Sequence, residues 1–102
     1  MDDHLVKDAH ILMHPIRFKI VELLAHQPMH INAISKALEE EKKKLVSYHL
    51  NILEAYGFVS CKYEISEQPK SKGKALKKYW VTAKVNTVLS ELKKLQLTES
   101  GE

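Results

Sequence analysis

A polar helix face at residues 43–51 carries the side chains best suited to recognising a partner through hydrogen bonds. Read as a helix, residues 42–57 place Val46, Leu50 and Leu53 on one apolar stripe. At about 100° per residue, the opposite side carries Lys44, Ser47, Tyr48, Asn51 and Ala55. A cation, a hydroxyl, a phenol and an amide together can bind a polar partner such as DNA. The simpler interpretation is a solvated helix face, which is the more common case.

Five lysines close together form the second group with a definable chemistry: Lys70, Lys72, Lys74, Lys77 and Lys78. As flexible point charges they cannot specify a base sequence, but they can neutralise phosphates and make binding salt-dependent. Lysines on a strand also discourage edge-to-edge aggregation. The two roles are compatible.

Histidines and the single cysteine give weaker indications. His10 and His14 are four residues apart, a spacing that can bind one metal ion. Cys61 alternates with Val59 and Tyr63 on the apolar side of a predicted strand, where a thiol is usually inert. No glycine-rich phosphate loop, nucleophile elbow or HExxH motif occurs. We therefore expect no enzyme activity, no cofactor and no resident metal.

Apolar periodicity predicts the elements that position these side chains. Pro15 suits the first turn of a helix, Gln27-Pro28 ends that helix, and Gly57 ends another. His30 or Asn32 is the N-cap of the third helix, Asn32 being chemically the better one. Alternating residues then predict a hairpin with a basic tip. The predicted elements are helices at about 4–13, 15–26, 31–38 and 42–56, a hairpin at about 58–82 and a last helix at about 84–97.

The junction at residues 39–44 allows two interpretations. The run EEEKKK lacks Gly and Pro, and its Glu/Lys pairs at i, i+4 would support one helix from 31 to 56. That helix would point Val46, Leu50 and Leu53 away from the stripe begun at Ile31. A break near Glu40 or Glu41 lets both stripes face one core. We expect the break.

Length and composition set the broad class. The 102 residues, with a net charge of +3, predict a single domain over 1–102 and do not by themselves indicate nucleic acid. No apolar run reaches the roughly 18 residues of a membrane span. The acidic start MDDHLVKD is unlike a secretory signal. We expect a cytoplasmic protein without a membrane partner.

Three segments together resemble the ArsR-like, MarR-related winged-helix transcription regulators: HPIRFKIVELL, MHINAISKAL and VSYHLNILEAYGFV. The resemblance covers about 12–82 and implies an α+β, mostly α fold: a winged helix-turn-helix with a β-hairpin wing and terminal dimerisation helices. Such proteins place the second helix of the helix-turn-helix in the major groove of double-stranded DNA. The implied DNA contacts on that helix are Lys43, Lys44, Ser47, Tyr48, His49 and Asn51, and on the wing the five lysines.

Two of these residues have open alternatives. His49 lies about 60° from the core stripe, so it could instead pack or contact the DNA backbone. Asn51 is chemically apt for adenine but sits one turn further along.

The terminal helices are expected to pair two subunits. Each has an apolar stripe outside the three-helix core, and pairing across a two-fold axis would bury both stripes. The stripes comprise Leu5, Ala9, Leu12, Val85, Val88, Leu89, Leu92 and Leu95. If the protein is a homodimer, we expect its operator to be a near-palindrome. We also expect the protein to act as a repressor. The alternatives are a protein-interaction module, an RNA-binding protein and a metal-responsive sensor; any effector remains open.

Overall fold

The computed structural model describes residues 3–39, 43–65, 69 and 72–100, with side chains described as far as residue 95. Within these ranges it contains five helices and a three-stranded sheet. The helices are α1 (Asp3–Leu12), α2 (Pro15–His26), α3 (Ile31–Ala37), α4 (Lys43–Ala55) and α5 (Ala83–Ser100). The strands are β1 (Met29–His30), β2 (Val59–Ile65) and β3 (Ala75–Val81). The predicted helices and hairpin, and the winged helix-turn-helix class, are confirmed.

The first helix boundary depends on a histidine and a proline. His14 is the N-cap of α2, and its Nδ1 accepts a hydrogen bond from the Ile16 N–H at 3.2 Å. Pro15 follows at the first helical position, where its missing N–H is not needed. The same helix ends at His26, just before Gln27-Pro28, as predicted.

The break between α3 and α4 is confirmed. Leu38 is the C-cap of α3, and Glu39 has a φ of 56°, in the left-handed region that an α-helix cannot contain. The helix therefore ends at Ala37, a few residues before the predicted Glu40 or Glu41. Residues 40–42, where that break was expected, lie outside the described residues.

The start of α3 differs from the preferred prediction. The N-cap is His30, and it makes no side-chain capping hydrogen bond, whereas Asn32 already lies inside the helix. The reason is β1, which the sequence did not predict. Met29 and His30 pair with Tyr79 and Lys78 of β3, so the chain is extended up to His30 and turns helical at once.

The sheet has the order β1-β3-β2 and is antiparallel throughout. Register pairs Val59 with Val81 and Cys61 with Tyr79, and this face packs on the helices. Ser60 opposite Trp80 and Lys62 opposite Lys78 lie on the other face. The hairpin thus has an apolar base and a polar outer surface.

The core lies between the helices and the base of the hairpin. Its largest fully buried side chains come from the first four helices and from the residue just before β2: Leu12, Ile20, Ile34, Val46, Leu50, Leu53 and Phe58. Among the helices the structure describes, none is both long enough and apolar enough to cross a membrane.

Candidate nucleic-acid interface

Helix α4 separates its buried and exposed sides as the periodicity predicted. Val46, Leu50 and Leu53 are fully buried. Tyr48 is 58% exposed, and Ser47 is half-buried beside it. The other exposed residues of this outer face are Lys43, Lys44, Asn51 and Ala55. We call Lys43, Lys44, Ser47, Tyr48 and Asn51 the recognition face.

The end of α4 is fixed by backbone geometry at Gly57. Gly57 has a φ of 80°, and its N–H donates to the Glu54 carbonyl at 3.0 Å. The Phe58 N–H donates to the Leu53 carbonyl at 2.9 Å, which completes a Schellman motif. The predicted role of Gly57 is confirmed, because a side chain at this position would be strained by the left-handed backbone.

His49 does not lie on the recognition face. Its side chain is 4% exposed, and its Nδ1 lies 3.3 Å from Arg17 Nη1. Its ring centroid is 4.5 Å from that of His14 and 5.2 Å from that of Tyr48. In this conformation the His49 ring is buried and is not available for the predicted contact with DNA. Packing against α2 occupies the ring, which is the alternative that its angle on the helix left open.

Arg17 is the residue near this face that the sequence analysis missed. It is buried, and its Nε donates to the Ile11 carbonyl at 2.6 Å. Because arginine has no acceptor, Arg17 Nη1 must donate to Nδ1 of a neutral His49. A signal was present, since Arg17 is spaced with Ile20, Val21 and Leu24 on the core side of α2.

The lysines of the hairpin divide into two groups. Lys72 and Lys74 are exposed at the tip, next to the left-handed Gly73, whereas Lys70 lies outside the described residues. Lys77 and Lys78 are half-buried on the strand. Lys77 Nζ lies 5.6 Å from the Tyr63 ring centroid, and Lys78 Nζ lies 3.6 Å from Glu64 Oε1. The tip lysines are therefore the freer cations of the two groups.

Comparison with known proteins identifies the fold. Residues 12–61 match the family model described as "Helix-turn-helix domain". The chain is also similar to diamide-treated YodB from B. subtilis, with 18% identity, a TM-score of 0.74, and coverage of 94% of this chain and 89% of that one. The chain is a winged helix-turn-helix protein. No curated protein sequence matches it.

Two further solved structures agree with this assignment. One is the homodimeric winged helix-turn-helix DNA-binding domain Mb0332 from Mycobacterium bovis, a possible ArsR-family transcriptional regulator, with 19% identity and a TM-score of 0.64 over 96% of this chain and 82% of that one. The other is HlyU from Vibrio cholerae, with 18% identity and a TM-score of 0.66 over 93% and 97%. These similarities confirm the winged helix-turn-helix fold that the predicted resemblance implied.

The terminal helices of this winged helix-turn-helix protein correct the expected dimer surface. Leu12, Val85 and Val88 are buried within one subunit, because α1 and α5 pack on each other and on the core. They are therefore unavailable to a partner. The half-buried members of the predicted stripes are Leu5, Ala9, Leu89, Leu92 and Leu95.

Two apolar side chains are exposed on α1 and directly after it, at Val6 and Met13. Val6 is 50% exposed and Met13 is 52% exposed. They lie seven residues apart, and the Met13 N–H continues the helical hydrogen bonding by donating to the Ala9 carbonyl at 2.9 Å, so both face the same outward side. Both side chains are therefore accessible on the surface of the subunit.

Neither a metal-responsive site nor a reactive Cys61 is supported by the described residues. Among the described residues, no three His, Cys, Asp or Glu side chains form a group that could hold a metal ion. Cys61 Sγ donates to Glu54 Oε2 at 3.4 Å. Burial is the main cause that raises the pKa of the Cys61 thiol, and this hydrogen bond is the second. A higher pKa leaves less of the reactive thiolate.

Stability is expected to fall on acidification because of His49. Burial lowers the pKa of His49, with further lowering by the charges of His14 and Arg17. In the unfolded chain a histidine binds its proton at about pH 6.5, so below that pH the unfolded state binds more protons than the folded one. The free energy of unfolding should therefore decrease as pH falls from 7.5 toward 5, in denaturant titrations at each pH.

The variant His49→Gln tests the assignment, since its amide oxygen can still accept from Arg17. It should show a flatter pH dependence than the wild type. The control His26→Gln removes an exposed histidine and should leave the slope unchanged. Equal slopes in the wild type and His49→Gln would assign the acid sensitivity to other groups.

Proposed function

We propose that this chain is a sequence-specific transcription regulator that binds double-stranded DNA as a homodimer, with residues 1–102 acting as one DNA-binding domain. The observation that carries the proposal is the recognition face. It offers two cations, a hydroxyl, a phenol and an amide on a helix whose opposite side is anchored in the core. The major groove admits such a helix and presents a distinct donor and acceptor pattern for each base pair.

The residue roles follow from their positions along α4. Lys43, Lys44, Ser47 and Tyr48 occupy the N-terminal half, which contacts base edges and nearby phosphates in this class of motif. Asn51, one turn further, is the candidate for adenine. We assign His49 no contact with DNA.

Two subunits would pair through the outward side of the terminal helices. We propose that Val6 and Met13, together with the half-buried Leu5, Ala9, Leu89, Leu92 and Leu95, form the dimer surface. The two recognition helices would then lie about 34 Å apart, one turn of DNA, and the site would be a near-palindrome. The homodimeric state of Mb0332 from Mycobacterium bovis supports the proposal of a dimer. By occupying a promoter, such a dimer would act as a repressor.

Selection of bound sequences from random duplex DNA tests the proposal most directly. We expect enrichment of two inverted half-sites one DNA turn apart, with one dimer bound per site by sedimentation. The proposal is wrong if no duplex is bound even at low salt. Preference for an RNA duplex of the same sequence would also contradict it, because A-form RNA closes its major groove to a helix.

A protein-interaction module is the competing function, and one observation favours it. Tyr63 and Ile65 on the wing are 66% and 63% exposed, which is unusual for large apolar side chains on a strand. Retention of a protein partner by a chain that binds no duplex would decide in its favour.

The wing lysines should determine the salt dependence of binding. Each phosphate neutralised contributes about 0.9 to the slope of log affinity against log salt concentration. The double variant Lys72→Gln/Lys74→Gln should therefore reduce this slope by about 2 for each wing engaged. The measurement is a titration of duplex DNA at several salt concentrations.

The matched control removes two lysines from α5, in the double variant Lys93→Gln/Lys94→Gln. Both are exposed and far from the hairpin in the sequence. The control should keep the wild-type slope. If the wing variant also keeps it, the tip lysines do not contact phosphates.

A further inference from the structure

Lys84, near the start of α5, contacts α1, the residue that directly follows α4, and the ring of Phe58. Its Nζ donates to the Tyr56 carbonyl at 2.6 Å and lies 3.2 Å from Asp8 Oδ1 of α1. The same ammonium lies 4.9 Å from the ring centroid of Phe58. One side chain thereby joins the end of α4 to both terminal helices.

A cation bound to the Tyr56 carbonyl stabilises the C-terminal end of α4. Tyr56 directly follows the last residue of α4, where carbonyls lack intrahelical donors and the helix dipole is negative. The Schellman bonds at Gly57 and Phe58 satisfy the carbonyls of Glu54 and Leu53. The Lys84 ammonium satisfies the carbonyl of Tyr56 and interacts favourably with the dipole.

Thr82, just before α5, also bonds to the segment that follows α4. Its Oγ1 donates to the Gly57 carbonyl at 2.6 Å, and its N–H donates to the Phe58 carbonyl at 3.0 Å. The Lys84 N–H donates back to Thr82 Oγ1 at 3.3 Å. The start of α5 therefore binds three consecutive carbonyls after α4, at residues 56, 57 and 58.

Helix α1 interacts both with Lys84 and with Tyr56. Asp8 forms the ion pair with Lys84, and its side chain is 19% exposed, so water screens the pair only partly. Lys7 Nζ lies 5.5 Å from the Tyr56 ring centroid. Two successive residues of α1 thus interact with the end of α4, one through Lys84 and one through Tyr56.

We propose that Lys84 is a positioning residue of the DNA-binding surface, which fixes the C-terminal end of α4 against α1 and α5. The inference rests on the proposed function. The buried stripe of α4 anchors the helix on the core, and Lys84 adds a contact at its C-terminal end, so that Ser47 and Tyr48 keep a defined angle to the groove. Without the Lys84 contacts the angle of α4 can vary. Contacts to base edges depend on this angle more steeply than contacts to phosphates do.

The variant Lys84→Met tests this role, with Lys93→Met as its matched control. Lys93 is an exposed lysine of the same helix, so both variants remove one charge. In Lys84→Met the affinity for the selected site should fall about tenfold, the order expected for loss of a charge-assisted hydrogen bond. In Lys93→Met it should change less than about twofold. Non-specific affinity should fall equally in both.

Two further variants separate positioning from general stability. Lys84→Arg can still donate to Tyr56 and pair with Asp8, so it should restore most of the specific affinity. Asp8→Asn keeps the bond to Tyr56 but removes the ion pair, so it should lie between the wild type and Lys84→Met. All variants are compared at a temperature where circular dichroism shows them folded.

Amide hydrogen exchange provides a measurement independent of DNA. The amides of Gly57 and Phe58 should exchange faster in Lys84→Met than in Lys93→Met or the wild type. Equal exchange, or equal loss of specific affinity in the two methionine variants, overturns the inference. If the wild type binds no duplex, the proposed function fails, and the exchange rates alone decide whether Lys84 positions α4.

Discussion

Phe58→Ala is expected to lower the free energy of unfolding by about 3–5 kcal/mol. Phe58 is fully buried and is the largest of the fully buried side chains. It directly follows the glycine that ends α4, and it lies under the Lys84 ammonium at the base of the hairpin. Its removal would leave a cavity where helices and sheet meet, since a rigid core relaxes only partly around a lost side chain.

Chemical denaturation monitored by circular dichroism measures this loss. Tyr63→Ala is the control, because it also removes an aromatic ring from the chain after α4 but one that is 66% exposed. The control should change stability by no more than about 0.5–1 kcal/mol. Similar losses in the free energy of unfolding of the two variants would show that the buried ring of Phe58 contributes no more than an exposed one.

The double variant Ser47→Ala/Tyr48→Ala is expected to weaken binding to the selected DNA site by about 1–3 kcal/mol, the range for one well-formed contact to a base. Both hydroxyls lie on the outer side of α4, and Tyr48 is 58% exposed. Neither residue is charged, so binding to unrelated duplex should change little. Fluorescence anisotropy with specific and scrambled duplexes measures the difference.

A matched variant shows which part of Tyr48 contributes. Ser47→Ala/Tyr48→Phe keeps the ring and its edge contact with His49 but removes both hydroxyls. If the hydroxyls read the bases, both double variants should lose specific affinity alike. If the ring acts by packing, the phenylalanine variant should bind as the wild type does. Unchanged specific affinity in the alanine variant would remove these residues from the recognition face.

Local pattern was sufficient to predict the helices, the hairpin and the inner side of α4. Two apolar stripes that could not share one continuous helix predicted the break after α3, although the run EEEKKK favours helix. The left-handed Glu39 shows how strongly the core determines this turn, because the conformation costs a non-glycine residue about 1–2 kcal/mol. Tertiary packing of both stripes outweighs that local cost.

The features that the sequence did not predict all depend on contacts between distant residues. Strand β1 has two residues, too few for any alternation to be visible, and exists only because β3 pairs with it. His49 is buried because Arg17 of α2 and His14, the N-cap of α2, pack against it. Leu12 and Val88 were assigned to a partner because the packing of α1 on α5 cannot be read from either helix alone.

The short strand β1 also has a consequence for how the protein folds. The hydrogen bonds within each helix join residues close in sequence, whereas Met29 pairs with Tyr79, which follows α3, α4 and β2 along the chain. Closing so long a segment is slow relative to forming helices, so this pairing should be among the last steps. Once formed, it ties the helix-turn-helix to the wing, and the two should unfold in one cooperative transition.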